Sequence, residues 1–93
     1  MSVIQEYYSE ERQKQPLITY KSGDTYEGEW LKGKRDGQGS YTWLDGAKYT
    51  GMWLNNKALG KGVFFFADGD VYEGDWVGDM ANGNGLYKRS NGA

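Results

Sequence analysis

The sequence predicts an all-β fold: a single-layer antiparallel β-meander of repeated hairpins, with a short N-terminal helix in front of it. Three observations carry this. A shift of 23 residues superposes the chain on itself. The repeated residues lie two apart, which is the strand period. The stretches between them end in Gly, as Asp-Gly or Asn-Gly in three of four cases, a strong hairpin signal.

The repeat is the first element to justify, because overlooking it misreads the whole chain. Gly23, Gly46, Gly69 and Gly92 fall in one register, followed by Tyr26, Tyr49 and Tyr72. Gly28, Gly51 and Gly74 come next, then Trp30, Trp53 and Trp76. After six residues come Gly37, Gly60 and Gly83, then Gly39, Gly62 and Gly85, then Tyr41, Phe64 and Tyr87. The unit is Y-x-G-x-W followed by G-x-G-x-[YF].

The hairpin register follows from the loops. A two-residue Asp-Gly loop would pair Trp43 with Lys48 and scatter the repeated residues over both faces. A three-residue loop with Gly last, a type I turn closed by a glycine bulge, pairs Tyr41 with Tyr49, Gly39 with Gly51 and Gly37 with Trp53. Every repeated residue then shares one face, since a one-residue slip inverts all side chains. The glycines are expected to lie under the rings, because a ring lying across a strand needs neighbours without side chains. Strands are expected near 17–21, 24–30, 39–44, 47–53, 62–67, 70–76 and 85–89, three and a half hairpins in all.

Tyr26 to Tyr41, Y-E-G-E-W-x-x-G-K-x-x-G-x-G-x-Y, resembles the MORN repeat. The resemblance runs from about Ile18 to Gly92. It implies 23-residue β-hairpins stacked into one elongated antiparallel sheet. The family's Gly after the Trp is present as Gly33 but replaced by Asn56 and Asp79, which puts the geometry of those loops in question. What the resemblance implies for function is a non-enzymatic scaffold or adaptor in a larger assembly, cytoskeletal or ciliary, as in radial-spoke heads. Similar repeats also precede lipid-kinase and lysine-methyltransferase domains, and some look like lipid-headgroup binders.

The flank, residues 1–16, is different in kind from the array, residues 17–93. Ser2 and Gln5 fit a capping box, Val3, Ile4, Tyr7 and Tyr8 form a stripe at helical spacing, and Glu10 and Lys14 lie four apart. Pro16 reads as a stop. Such a short helix must dock; the expected place is the first edge of the sheet, the alternative being a binding partner.

Composition narrows the chemistry. The chain has no Cys and no His, so Ser-His, Cys-His and His-metal schemes are excluded, and no cofactor or metal is expected. Its net charge of −2 argues against nucleic acid as a partner. No apolar run approaches a membrane span, and the N-terminus lacks the pattern of a signal peptide, so an intracellular, cytoplasmic chain is expected. Eight Tyr, four Trp and three Phe contradict disorder.

Four groups of residues compete for a role. Glu27, Glu29, Glu73 and Asp75 are paired carboxylates, but they fall on a solvated face with nothing to raise a pKa, so no catalytic residue is assigned. Gly33 to Gly39 lacks the ending and the following helix of a phosphate loop. Lys32, Lys34 and Arg35 in the first inter-strand loop, with Lys57 and Lys61 in the second, are the candidates for anionic lipid headgroups. The third loop, Gly78 to Asn82, has no basic residue. For protein partners the candidates are two rows, Tyr26, Tyr49, Tyr72 and Trp30, Trp53, Trp76, forming a groove for an extended peptide. The outer face adds Met52, Val63, Phe65, Val71 and Leu86, and the strand edge near Tyr87 offers β-augmentation.

Overall fold

Two kinds of turn alternate along the chain, and together they fix the sheet. In the computed structural model, which describes residues 7–92, the Gly23, Gly46 and Gly69 amides donate to the carbonyls of Tyr20, Trp43 and Phe66, each at 2.9 Å. These three glycines have φ of 99°, 100° and 101°, so each three-residue loop closes on a left-handed glycine bulge, as the sequence predicts. The other turns are tighter. Lys32–Gly33, Asn55–Asn56 and Gly78–Asp79 all have positive φ at both residues, the type I′ pattern. Asn56 (φ 71°) and Asp79 (φ 72°) thus keep the conformation of Gly33 (φ 77°), and the loop geometry survives the substitutions.

Seven strands result: β1 (Gln13–Thr19), β2 (Thr25–Leu31), β3 (Lys34–Thr42), β4 (Lys48–Leu54), β5 (Lys57–Phe65), β6 (Val71–Val77) and β7 (Met80–Lys88). They form one antiparallel sheet in chain order. The pairs Gly37↔Trp53, Gly39↔Gly51 and Tyr41↔Tyr49 are those of the glycine-bulge register, as are Gly60↔Trp76, Gly62↔Gly74 and Phe64↔Tyr72.

Two expectations are corrected. The strands expected at 39–44, 62–67 and 85–89 begin near residues 34, 57 and 80 instead. The six-residue intervals are therefore strand and tight turn, not loop. The ladder absorbs them by a bulge: Gly28↔Gly39 gives way to Trp30↔Arg35, leaving three residues of β3 opposite one of β2. Gly37 sits in that bulge at φ 102°.

The second correction concerns the N-terminal helix. Residues 7–12 are irregular and Gln13–Thr19 is strand, so no helix occurs among the described residues of the flank. The boundary expected after residue 16 falls inside β1. Ser2, Val3, Ile4 and Gln5 lie outside the described residues. Pro16 does not stop a helix; it sits at the irregularity between Gln15 and Ile18 on an edge strand, where a missing N–H is tolerated. The open edge of β2 outweighs a single Glu10–Lys14 pair, worth a few tenths of a kcal/mol. Glu10 lies instead 3.8 Å from Lys32. The segment still covers this end of the array. Tyr7 meets Trp30 edge-on at 6.0 Å, Ser9 accepts from the Lys32 amide at 2.8 Å, and Arg12 pairs with the buried Asp36.

The core is one face of the sheet: Ile18, Tyr26, Trp30, Tyr49, Trp53, Ala58 and Trp76, with Tyr20, Tyr41, Trp43, Phe64 and Tyr72 packed against them. Each tyrosine of the Y-x-G-x-W strand leans forward over a glycine of the next strand. A Cβ on Gly39 would lie 2.1 Å from the Tyr26 hydroxyl, and one on Gly62 2.1 Å from that of Tyr49. Each following tryptophan leans back: Trp53 Nε1 donates to the Gly39 carbonyl and Trp76 Nε1 to that of Gly62, both at 3.1 Å. Aromatic rings that bury ~150–250 Å² apiece supply most of the apolar burial, and no second layer is needed.

Candidate functional site

The two faces differ. On the aromatic face the rows named from the sequence interleave: Tyr26–Trp53 at 5.6 Å and Tyr49–Trp76 at 5.3 Å, both edge-on. Tyr26, Trp30, Tyr49, Trp53 and Trp76 are all buried, Tyr26 completely, and Tyr72 is half-buried. Gly39, Gly62 and Gly85 lie beneath the tyrosine rings, as the sequence predicts. Burial pushes the Tyr49 hydroxyl pKa up to about 12 and raises those of Tyr26 and Tyr41 as well.

Arg35 sits inside this face. Its guanidinium carbon lies 5.0 Å from the ring centres of Tyr41 and Trp53, 5.8 Å from Tyr26 and 5.9 Å from Tyr20. Nη1 donates to the Tyr20 hydroxyl at 2.9 Å and Nη2 to the Asn56 carbonyl at 3.0 Å. Beside it lies a groove of about 310 Å³ lined by Trp43, Tyr49, Ala58, Phe64, Trp76 and Asp79, with Arg35 in its wall.

The five basic residues do not converge. Arg35 is held in the rings, Lys61 pairs with Asp75 at 2.7 Å on the opposite face, and Lys32 lies at a turn near Glu10. Lys34 and Lys57 open β3 and β5 and remain exposed.

The outer face carries a shallow trough of about 930 Å³ across β3 to β7, with Gly51, Gly62, Gly74 and Gly85 along its floor. Met52, Val63 and Leu86 line it, beside Lys61 and Glu73. Phe65 pairs with Val71 at its margin. Met52 is 38%, Phe65 41% and Leu86 57% exposed. Glu27 and Glu29 border a second, smaller depression near β1. Among the described residues no carboxylate cluster could hold a metal ion, and no helix is long and apolar enough to cross a membrane.

Sequence reasoning missed two sets of residues. Tyr20, Trp43 and Phe66 form a further column, 23 apart, that packs against Tyr41, Phe64 and Tyr87, stacked in the first pair and tilted in the other two. Asn56 and Asp79 tie successive tight turns: their side-chain oxygens accept from the Arg35 and Ala58 amides at 2.9 and 2.7 Å. The first set was visible as an aromatic column; the second needed the turn geometry.

A comparison with curated protein sequences gave no match. The family model for the MORN repeat matches residues 26–48, 49–71 and 72–93, and no catalytic domain is identified in the chain. The matched frames coincide with the structural repeat, each opening on the tyrosine that covers the next strand's glycine. The chain belongs to the MORN-repeat family.

Proposed function

We propose that this chain is a non-enzymatic scaffold that joins protein partners in a larger assembly, of the cytoskeletal or ciliary kind that the family resemblance suggests. The observation that carries the reading is the uncovered outer face. A one-layer sheet of 45 × 26 × 17 Å presents Met52, Val63 and Leu86 in one trough, with Phe65 exposed on the same face, and among the described residues no second layer lies over them. Apolar residues gathered on a sheet face mark an interaction surface. The scattering of the five basic residues favours a protein over an anionic membrane.

The test is affinity capture of the tagged chain from ciliated cells, followed by mass spectrometry, in parallel with Phe65→Glu and Leu86→Glu. The expected result is a defined set of partners lost from both variants, whose thermal melts stay within a few degrees of the parent. Retention of the same partners by both folded variants overturns the outer face as the docking surface.

A further inference from the structure

The aromatic face repeats its rings but not its cation. Moving the Arg35 cage forward by one unit takes Tyr20 to Trp43, Tyr26 to Tyr49, Tyr41 to Phe64 and Trp53 to Trp76. The ring geometry moves with it. Tyr20–Tyr41 at 5.7 Å becomes Trp43–Phe64 at 5.4 Å. Tyr26–Trp53 at 5.6 Å becomes Tyr49–Trp76 at 5.3 Å, and Tyr41–Trp53 at 6.0 Å becomes Phe64–Trp76 at 6.0 Å. Position 35, however, becomes Ala58, whose methyl group leaves the centre of the second cage open. That opening is the 310 Å³ groove.

The polar frame is conserved in geometry and altered in charge. In the first cage Asn56 accepts from the Arg35 amide through its side chain and from Nη2 through its carbonyl. In the second, Asp79 makes the same side-chain tie to the Ala58 amide at 2.7 Å, and its own amide donates to the Ala58 carbonyl at 3.2 Å, as Asn56 does to Arg35 at 3.0 Å. A neutral amide at the rim is thus replaced by a carboxylate. Tyr20, which accepts from Nη1, is replaced by Trp43, whose indole is the better cation–π partner. Rings on several sides and a carboxylate at the rim form a receptor for a cation, and the volume is at the small end for ligand clefts.

We propose that the second cage binds an arginine side chain presented by a protein partner, with the guanidinium seated over Trp43, Phe64 and Trp76 as Arg35 is seated in the first. Arg35 itself is the template: the chain already holds this group in this set of rings one unit away. The two guanidinium groups would stand about two strand spacings apart, ~10 Å. Arg35, part-buried in the groove wall, is screened less than an exposed charge, and the Asp79 carboxylate at the rim is the group that offsets the repulsion. The inference deepens the protein-partner reading but uses the face opposite the Phe65 trough, so the two fail separately.

The experiment titrates the 15N-labelled full chain with blocked Gly-Gly-Arg-Gly-Gly and with the same peptide carrying citrulline, which keeps the shape and loses the charge. The readout is the indole N–H signals of Trp43 and Trp76. The expected result is a saturable shift with the arginine peptide, in the millimolar range fitting a single side chain, and at least tenfold weaker binding of the citrulline peptide. Ala58→Arg, which would fill the cage from within as Arg35 fills the first, is expected to abolish the shift. Asp79→Asn keeps both the amide tie and the turn, as Asn56 shows, and is expected to weaken binding at least threefold with an unchanged melt. Equal binding of the citrulline peptide, no saturable shift, or unaltered binding by folded Asp79→Asn each overturns the proposal. A trimethyl-lysine peptide binding tenfold more tightly than arginine overturns arginine as the occupant. Phe65→Glu is expected to leave the titration unchanged, so loss of partners there and loss of peptide binding here report on different faces.

Discussion

Position 47 shows how single residues adjust one another within the repeat. Asp24 accepts from the Tyr41 hydroxyl and the Leu44 amide, both at 2.8 Å. Asp70 accepts from the Tyr87 hydroxyl at 2.6 Å and the Ser90 amide at 2.8 Å. Between them in register stand Ala47 and Phe64: where the carboxylate is absent, so is the hydroxyl. A carboxylate installed alone lacks its hydroxyl donor and a hydroxyl installed alone lacks its acceptor, so neither single substitution is expected to stabilise. Ala47→Asp with Phe64→Tyr should recover about 1 kcal/mol or more of coupling in a denaturant double-mutant cycle; additive losses would show that the pairing is coincidental. The same contacts set a pH dependence. The Tyr87 hydrogen bond holds the Asp70 pKa below its ordinary value, so its stabilisation is present above the unfolded carboxyl pKa and is lost as pH falls through the folded one. The Tyr49 hydroxyl behaves oppositely: raised to about 12, it favours the fold fully below ~10 and loses that contribution as pH climbs towards its folded value. A melting temperature level from pH 6 to 9 and falling at both ends is expected. Tyr49→Phe should shallow the alkaline fall. Gly39→Ala, which sets a methyl 2.1 Å from the Tyr26 hydroxyl, should cost ~1–3 kcal/mol by overpacking.

Among the elements, β1 with its preceding segment differs most from expectation. Arg12 meets Asp36 through Nε at 3.1 Å, and Asp36, only 5% exposed, also accepts from the Asn55 amide at 3.3 Å. Arg12→Ala leaves that carboxylate without its cation. The loss should appear as a lower denaturant midpoint, with faster hydrogen exchange at Asn55 and unchanged exchange in β6; a uniform change would mean the segment is not a local tie. In the hairpins, register and face were fully legible, because Asp45-Gly46 and Ala67-Asp68-Gly69 name their turn and alternation does the rest. The long strands were not. Counting alternate residues back from Gly39 does reach Arg35 on the aromatic face, but Gly37 and the weak turn signal of Lys32-Gly33 make the interval read as loop. The flank misled for a different reason. Its apolar spacing fits a helix, while the demand of the β2 edge for a partner is tertiary and leaves no mark in local sequence. Of the candidate site, the outer apolar residues were legible as alternation, whereas the second cage depends on rings from three strands and from Trp43 just past β3, and on what is missing at Ala58.

At the scale of the whole molecule, every strand is hydrogen-bonded only to its neighbours in chain order, and ring contacts such as Tyr26–Trp53 link one unit to the next, so stability approximates a sum over units and their interfaces. Because Tyr26 covers Gly39 forward and Trp53 reaches back to the Gly39 carbonyl, neither hairpin is complete without the next. A peptide of residues 26–48 alone is expected to show no cooperative unfolding, while the 93-residue chain unfolds cooperatively. Hydrogen exchange should be slowest in β2 to β5 and fastest in β7, whose residues are all exposed. Uniform protection through β7 would contradict the nearest-neighbour picture.

Strictly sequential pairing has a further consequence for distance. Each 23-residue unit adds two strands side by side, hence ~10 Å of length along the stacking direction, and adds it in the same orientation each time. Sites one unit apart are therefore set at a fixed interval along a common line, as the two cages are. Duplicating one unit would lengthen the array by one such step without disturbing either neighbour, so the number of units would serve as a gauge of the separation between whatever the two ends hold.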